Sequence, residues 1–351
     1  MPAALLALLS CGIFGPDDDD FDPRKLTWTI DTLAYPESYQ TTMLSIWGSS
    51  PDDVYVVGHN ERGFGKMYHF DGQEWSDVGL NPVQGGHISG PIDLAAIYGF
   101  SAHDIWAVGQ HIHPHPNPPP NFLDSSLVIH FDGSEWREVE TPSGRVLGAI
   151  GGKGPSDLWA GGLGSATLFH YDGTAWERRS IRDTLELLSY PAFRSFVTDG
   201  NLEYSLYYKG GGTDTYYLLQ LVDGEWQLLD DLSLHTGFLW MSPAGRLYAT
   251  GPKVLRLGQG DWQDVFESRP DSVIILRIRG ISDDNLFAVG YSQFNDVGMV
   301  YHYNGEDWYQ CPIPQISPVH VGNIWTDGQE VFVLGILADF PQKSTVILHG
   351  R

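Results

Sequence analysis

The chain has 351 residues, with 44 acidic against 20 basic ones, a formal charge of −24, and two cysteines. Such an acidic surface excludes nucleic acid as a partner, because phosphates are held by Lys and Arg, and it disfavours charge-driven binding to anionic lipid. The length is ample for one well-packed domain that needs no internal disulfide.

Residues 1–10 read MPAALLALLS. The apolar run from Ala3 to Leu9 is far shorter than the roughly 20 residues that span a bilayer, and it suits the hydrophobic region of a signal peptide. Leu8-Leu9-Ser10-Cys11 resembles the lipobox of bacterial lipoproteins. That resemblance implies acylation of Cys11, which would become the first mature residue. Gly12 in place of Asp implies the outer membrane or cell surface. Cys311 would then be the one cysteine of the fold, so no disulfide is expected within it. Residues 11–25 carry four aspartates at 17–20 between Pro16 and Pro23, the composition of a solvated tether.

From residue 26 the chain is repetitive. Residues 26–31, LTWTID, stand alone. Residues 46–78 follow with IWGSSPDDVYVVG, a loop, and KMYHFDGQEWSDV. Short runs of β-branched and aromatic residues separated by Pro-Asp-Asp and Asp-Gly read as strands joined by tight turns. One unit is therefore a four-stranded antiparallel meander. Further copies occupy 97–139, 149–178, 196–229, 239–265, 278–310 and 324–350. The last lacks its fourth strand, and LTWTID supplies it, with Trp28 in the place of Trp75. Trp28, Trp75, Trp136, Trp176, Trp226, Trp262 and Trp308 keep the register at a mean spacing of about 47 residues, a period that fits propeller blades. The prediction is all-β: one seven-bladed β-propeller over 26–351, with residues 26–32 completing the last blade. A fully buried indole removes about 150–250 Å² from water, so each Trp would contribute at most about 4–6 kcal/mol. The tryptophan ladder is expected to be core.

Histidines fall into two groups. His69, His130, His170, His302 and His349 occupy one repeat position before the turn; a residue repeated around a ring serves each blade locally, and hydrogen bonding near the turn is its expected role. The turn acids Asp53, Asp104, Asp157 and Asp284 are read the same way. His111, His113 and His115 instead lie in the proline-rich connection 110–126, QHIHPHPNPPPNFLDSS. This segment is predicted to be stiff and extended, and alternate residues of an extended segment point the same way. A transition-metal site and an ordinary solvated loop are the two readings of this segment, and no cofactor is expected. With the second long connection, 180–193, these loops lie on one rim of a propeller. His59, Arg62, His111, His113, His115 and Phe122 are the candidate ligand-binding residues there, and neutral insertion is the competing reading. For the arginines, most are placed at blade edges or loops, with no catalytic set assignable from spacing. No catalytic residues are assigned.

The repeat, W-G-x-S-x-x-D-[VI]-[WY]-x-V-G followed by H-[YF]-D-G-x-x-W, resembles those of exported bacterial β-propeller proteins and, distantly, Asp-box (BNR) repeats. The resemblance implies a fold strongly and a function weakly. The functional expectation is a monomeric, surface-tethered binding or scaffolding propeller of the bacterial envelope, with an envelope protein or glycan as partner. The alternative is an exported carbohydrate-active enzyme, which would show a deep polar mouth lined by facing carboxylates.

Overall fold

The computed structural model describes residues 22–34, 38–61, 65–114, 122–181, 191–209, 215–232, 237–258, 260–266, 273–314, 319–339 and 342–351. Seven four-stranded antiparallel sheets form, each in meander order, and they are the blades of a propeller. Blade one runs Thr41–Ser50, Asp53–Asn60, Gly65–Phe70 and Trp75–Asp77. The seventh sheet takes its outermost strand from the other end of the chain: Trp28–Leu33 pairs with Gln342–Gly350, from Trp28 opposite Gly350 to Leu33 opposite Thr345. Reciprocal backbone bonds between Thr27 and Arg351, 2.9 and 3.0 Å, extend that seam. The ring is closed, as the lone LTWTID segment predicts, and blade seven has its full four strands with the outer edge of Gln342–Gly350 covered.

Two sequence features are explained by local geometry. The Asp-Gly turns are four-residue connections, with Phe70 opposite Trp75. In them the Asp71 carboxylate accepts from the backbone N–H groups of Gln73 and Glu74, both at 2.9 Å, while Gly72 takes φ +90°, a region that only glycine enters without strain. The second feature is the glycine that ends the V-V-G run. The innermost strand of six blades carries a β-bulge at one shared position, between Met43 and Ser45 in blade one and between Ile275 and Arg277 in blade six. Gly58, Gly109 and Gly290 lie opposite that bulge. A Cβ on any of them would sit 1.9–2.0 Å from a carbonyl oxygen of the bulged strand. The repeat glycine is there because the bulge leaves no room for a side chain.

The core is divided into seven clusters, each built where two neighbouring blades meet, and each takes in one tryptophan of the ladder. Trp136, Trp176 and Trp226 are buried at 7%, 4% and 1% exposure. Trp28, Trp75, Trp262 and Trp308 are only half-buried. This corrects the expectation that the whole ladder is core. The tryptophan belongs to the outermost strand, so one edge of the indole faces solvent unless a neighbouring loop covers it, and the full-burial figure overstates these four. Cys311 is buried between blades six and seven, and burial pushes its thiol up to about 12, so it is a packing residue with no accessible thiolate.

Candidate functional site

The repeated histidines form a local device in five blades. His69, His130 and His170 each place Nε2 2.7 Å from the carboxylate at the start of the second strand: Asp53, Asp104 and Asp157. His349 does so with Glu330 at 2.5 Å, and His302 with the Asn285 side-chain oxygen at 3.2 Å. The partner in blade six is Asn285; the expected Asp284 stands one residue earlier and accepts from the Ser282 hydroxyl. Each imidazole also lies against the ring of the residue opposite: Tyr55, Trp106, Trp159, Phe287 and Phe332, at centroid distances of 3.9–4.8 Å. This repeated aromatic–His unit rivets the outer hairpin of each of these five blades to its second strand. It is scaffold.

On the opposite face, the connection 110–126 is not the free extended segment expected. Asp104–Pro114 and Phe122–Phe131 pair throughout, down to Pro114 opposite Phe122, so most of it is a lengthened hairpin. The alternation reading holds: the His111 and His113 rings share one side, 5.8 Å apart. Each is engaged, His111 with Glu138 at 2.9 Å and His113 with the Ser125 hydroxyl at 2.9 Å. Among the described residues no three His, Cys, Asp or Glu side chains are close enough to hold a metal ion. His59 is half-buried at the equivalent end of blade one, and no contact among the described residues joins it to the His111–His113 pair. Phe122 is placed by its backbone alone, and Arg62, His115 and Cys11 lie outside the described residues. Most of the second long connection, 180–193, lies outside them too.

The site that sequence reasoning missed is the central channel. The innermost strands of all seven blades line a cavity of about 290 Å³. Small residues dominate where the strands converge: Ser45, Ala95, Ala96, Gly148, Ala149 and Ser195. Against them stand three arginines, Arg194 of blade four and Arg277 and Arg279 of blade six. These three depart from the blade edges and loops where the sequence places most of the arginines. The cause is the bulge: Arg194 is its extra residue in blade four, and Arg277 is the first paired residue after it in blade six. The signal was present in the alignment of LSIWG, AAIYG and LRIRG, where a charge replaces Ser45 and Ala96.

Arg194 and Arg277 both lie over the Phe238 ring of the intervening blade. Arg277 and Arg279 each give one guanidinium N–H to a neighbouring carbonyl, Leu276 at 3.2 Å and Ile278 at 2.9 Å. Burial holds the Arg277 guanidinium well below the usual arginine range, with the repulsion of Arg194 and Arg279 adding to it; burial likewise brings Arg279 down to about 10. A guanidinium is as a rule not deprotonated in proteins. The described lining contains no Asp or Glu.

No protein-family model matches this sequence, and no curated protein does. Solved structures match over nearly the whole chain. The one described as YCF48 bound to D1 peptide is 16% identical, with a TM-score of 0.62, and the match covers 94% of this chain and 95% of that one. A chain of the mitotic checkpoint complex is 10% identical, with a TM-score of 0.57, over 99% and 98%. The GH74 enzyme of Niastella koreensis is 13% identical, with a TM-score of 0.58, over 90% of this chain and 55% of that one. At these identities the likeness is one of fold.

Proposed function

We propose that this protein is a non-catalytic binding or scaffolding propeller of the bacterial envelope, anchored through an acylated Cys11 and acting as a monomer. The observation that carries the reading is the channel, where a carbohydrate-active propeller would set its catalytic groups. Glycoside hydrolysis by the usual routes needs two carboxylates roughly 5–10 Å apart across the scissile bond. The described lining offers three arginines and no carboxylate, donors suited to holding an anion. A neighbour in fold was solved with a peptide bound, which agrees with a ring used for recognition.

The partner is an envelope protein or glycan, met on the rim that carries the lengthened hairpin of blade two, with His59, Arg62, His111, His113, His115 and Phe122 as contact residues. The test is affinity capture of the acylated full chain from its own envelope, beside the same chain with 115–121 replaced by Gly-Ser. The expected result is a defined partner that the shortened chain loses. Equal recovery with both chains would remove the rim from the reading, and turnover of a glycan by the purified chain would replace binding with catalysis. Cys11→Ser is expected to shift the protein from the membrane to the soluble fraction, since stable anchoring rests on acyl chains at about 0.8 kcal/mol per CH₂. A wild-type protein already soluble would end the anchor reading.

A further inference from the structure

A chain with net charge −24 places three arginines in its central cavity and, among the described residues, gives none of them a carboxylate partner. By contrast Arg24 is paired with Asp307, Lys66 with Asp77, Lys153 with Glu203 and Arg246 with Asp283. Three unpaired cations sharing one cavity are costly. Uncompensated charges lose hydration and repel one another, which is why Arg277 is driven down by burial and by Arg194 and Arg279. A bound anion would offset that cost, because a ligand that binds the folded state stabilises it.

The geometry specifies the class of ligand. A guanidinium carries five N–H donors in a rigid plane that matches the oxygens of carboxylates and phosphates. Arg277 and Arg279 each use one N–H on a carbonyl, and the Arg194 Nε is buried with no acceptor among the described residues. Most donors are thus free to converge on one guest. Phe238, lying under both Arg194 and Arg277, fixes their planes. Three positive charges are poorly matched by one monocarboxylate, and the cavity of about 290 Å³ is at the small end for ligand sites. Ile97, Phe238, Trp240 and Met241 give the wall an apolar side.

We propose that the channel is a binding site for a small multivalent oxyanion, a phosphate ester or a di- or tricarboxylate, held by Arg194, Arg277 and Arg279. This inference stands on the channel alone and does not require the partner-binding rim or the lipid anchor.

The experiment is calorimetric titration of the full chain with citrate, with inorganic phosphate and with acetate at matched ionic strength, alongside thermal melts of the same samples. Saturable binding of citrate or phosphate is expected, at least about tenfold tighter than acetate, and whichever of the two binds tighter distinguishes carboxylate from phosphate chemistry. Arg277→Met is expected to weaken that binding by about a hundredfold, the scale of a lost charge-assisted pair, while raising the melting temperature of the unliganded protein. Arg279→Met is the second variant should Arg277→Met misfold, with the same two effects. Arg277→Lys should bind between wild type and Arg277→Met, because it keeps the charge without the fork. Phosphate and citrate also stabilise proteins by exclusion from their surfaces. If wild type and the Met variants respond alike, that general effect is all there is and the site does not exist. Binding confined to long polyanions, with citrate and phosphate silent, would likewise overturn it.

Discussion

Blades one, two, three and seven keep the aromatic–His–acid unit, and blade six keeps it with Asn285 in the place of the acid; blades four and five do not. In blade four Gln220 holds the His place, opposite Tyr204, and the buried Glu203 is paired with Lys153 of blade three at 2.8 Å. In blade five Arg256 holds it, opposite Tyr248. The acid there is borrowed from blade six, since Asp283 accepts from the Tyr248 hydroxyl at 2.7 Å and pairs with Arg246 at 3.2 Å. The same sector supplies Arg194, Phe238 and Trp240 to the channel and faces Arg277 and Arg279. What repeats around the ring is scaffold, and what departs from the repeat gathers on one side of the channel. In a ring of equivalent positions, the departures are where function is to be sought.

The sharpest way to break this comparison is to open the ring on which both sectors depend. A chain beginning at Ser38 loses the strand Trp28–Leu33 and exposes the edge of Gln342–Gly350. We expect a loss on the scale of the roughly 5–15 kcal/mol net stability of a domain, read as aggregation or a collapsed melting curve. An unchanged curve would mean that the ring does not need its seam.

Next in size are the tryptophans, which test whether the departing sector still shares the scaffold. Trp226 in blade four is as buried as Trp176 in blade three, at 1% and 4% exposure. Substitution of either by Ala should cost about 3–5 kcal/mol in denaturant melts, and Trp75→Ala about half that because its indole is half-exposed. A cheap Trp226→Ala would show blade four to be loosely packed and the comparison to be one of order rather than of function.

A pH titration tests the histidine of blade six. Burial, with Arg24 nearby, lowers His302 to about 4, and its partner is the neutral Asn285. The unfolded chain takes up the proton near pH 6.5 and the folded one only near 4, so stability should fall as pH drops through that window and level below it. The drop is at most about 3 kcal/mol, and His302→Gln should flatten it. The turn carboxylates act lower: hydrogen bonds from the Ser134 hydroxyl and from backbone N–H groups hold Asp132 at about 2, so their contribution is lost only as pH falls below about 4. A slope in the 6.5–4 window that survives His302→Gln belongs to another group.

The smallest effect is expected on the rim. His111 pairs with a half-exposed Glu138, and such surface pairs contribute about 0–1 kcal/mol. His111→Ala should leave the melting curve almost unmoved, and a shift beyond about 1 kcal/mol would make the rim part of the scaffold.

The architecture was legible because its signals are local and repeated. Trp136, the Phe131-Asp132-Gly133 turn and the lone Trp28 each mean one thing, and six further copies check the reading. The channel was not legible because it depends on the bulge. One extra residue between Phe193 and Ser195 turns Arg194 toward the axis, and strict alternation along a strand gives no hint of it. The half-burial of Trp75 and Trp308 was hidden for a related reason: a repeat fixes what packs beneath a residue and leaves open what loop covers it. Asn285 was missed by one position, since the run Asp283-Asp284-Asn285 offers adjacent candidates for one place and only the hydrogen bond selects among them.

The seam also sets an order of events. Trp28–Leu33 precedes every other described strand and cannot be paired until Gln342–Gly350 exists, for Leu33 meets Thr345 across 312 residues. Every other pairing is a hairpin between neighbours in the chain. Bringing the distant ends together carries a loop-closure entropy of roughly 5 kcal/mol if the intervening chain is disordered, and almost none once the other blades have stacked and curved into a ring. Closure is therefore expected to be the last step of folding. Until then the nascent protein presents one open strand edge at Gln342–Gly350 and one unpaired strand at Trp28–Leu33, and these two can pair between molecules as well as within one. For this chain, the interval between synthesis and closure is when it is most exposed to domain-swapped association.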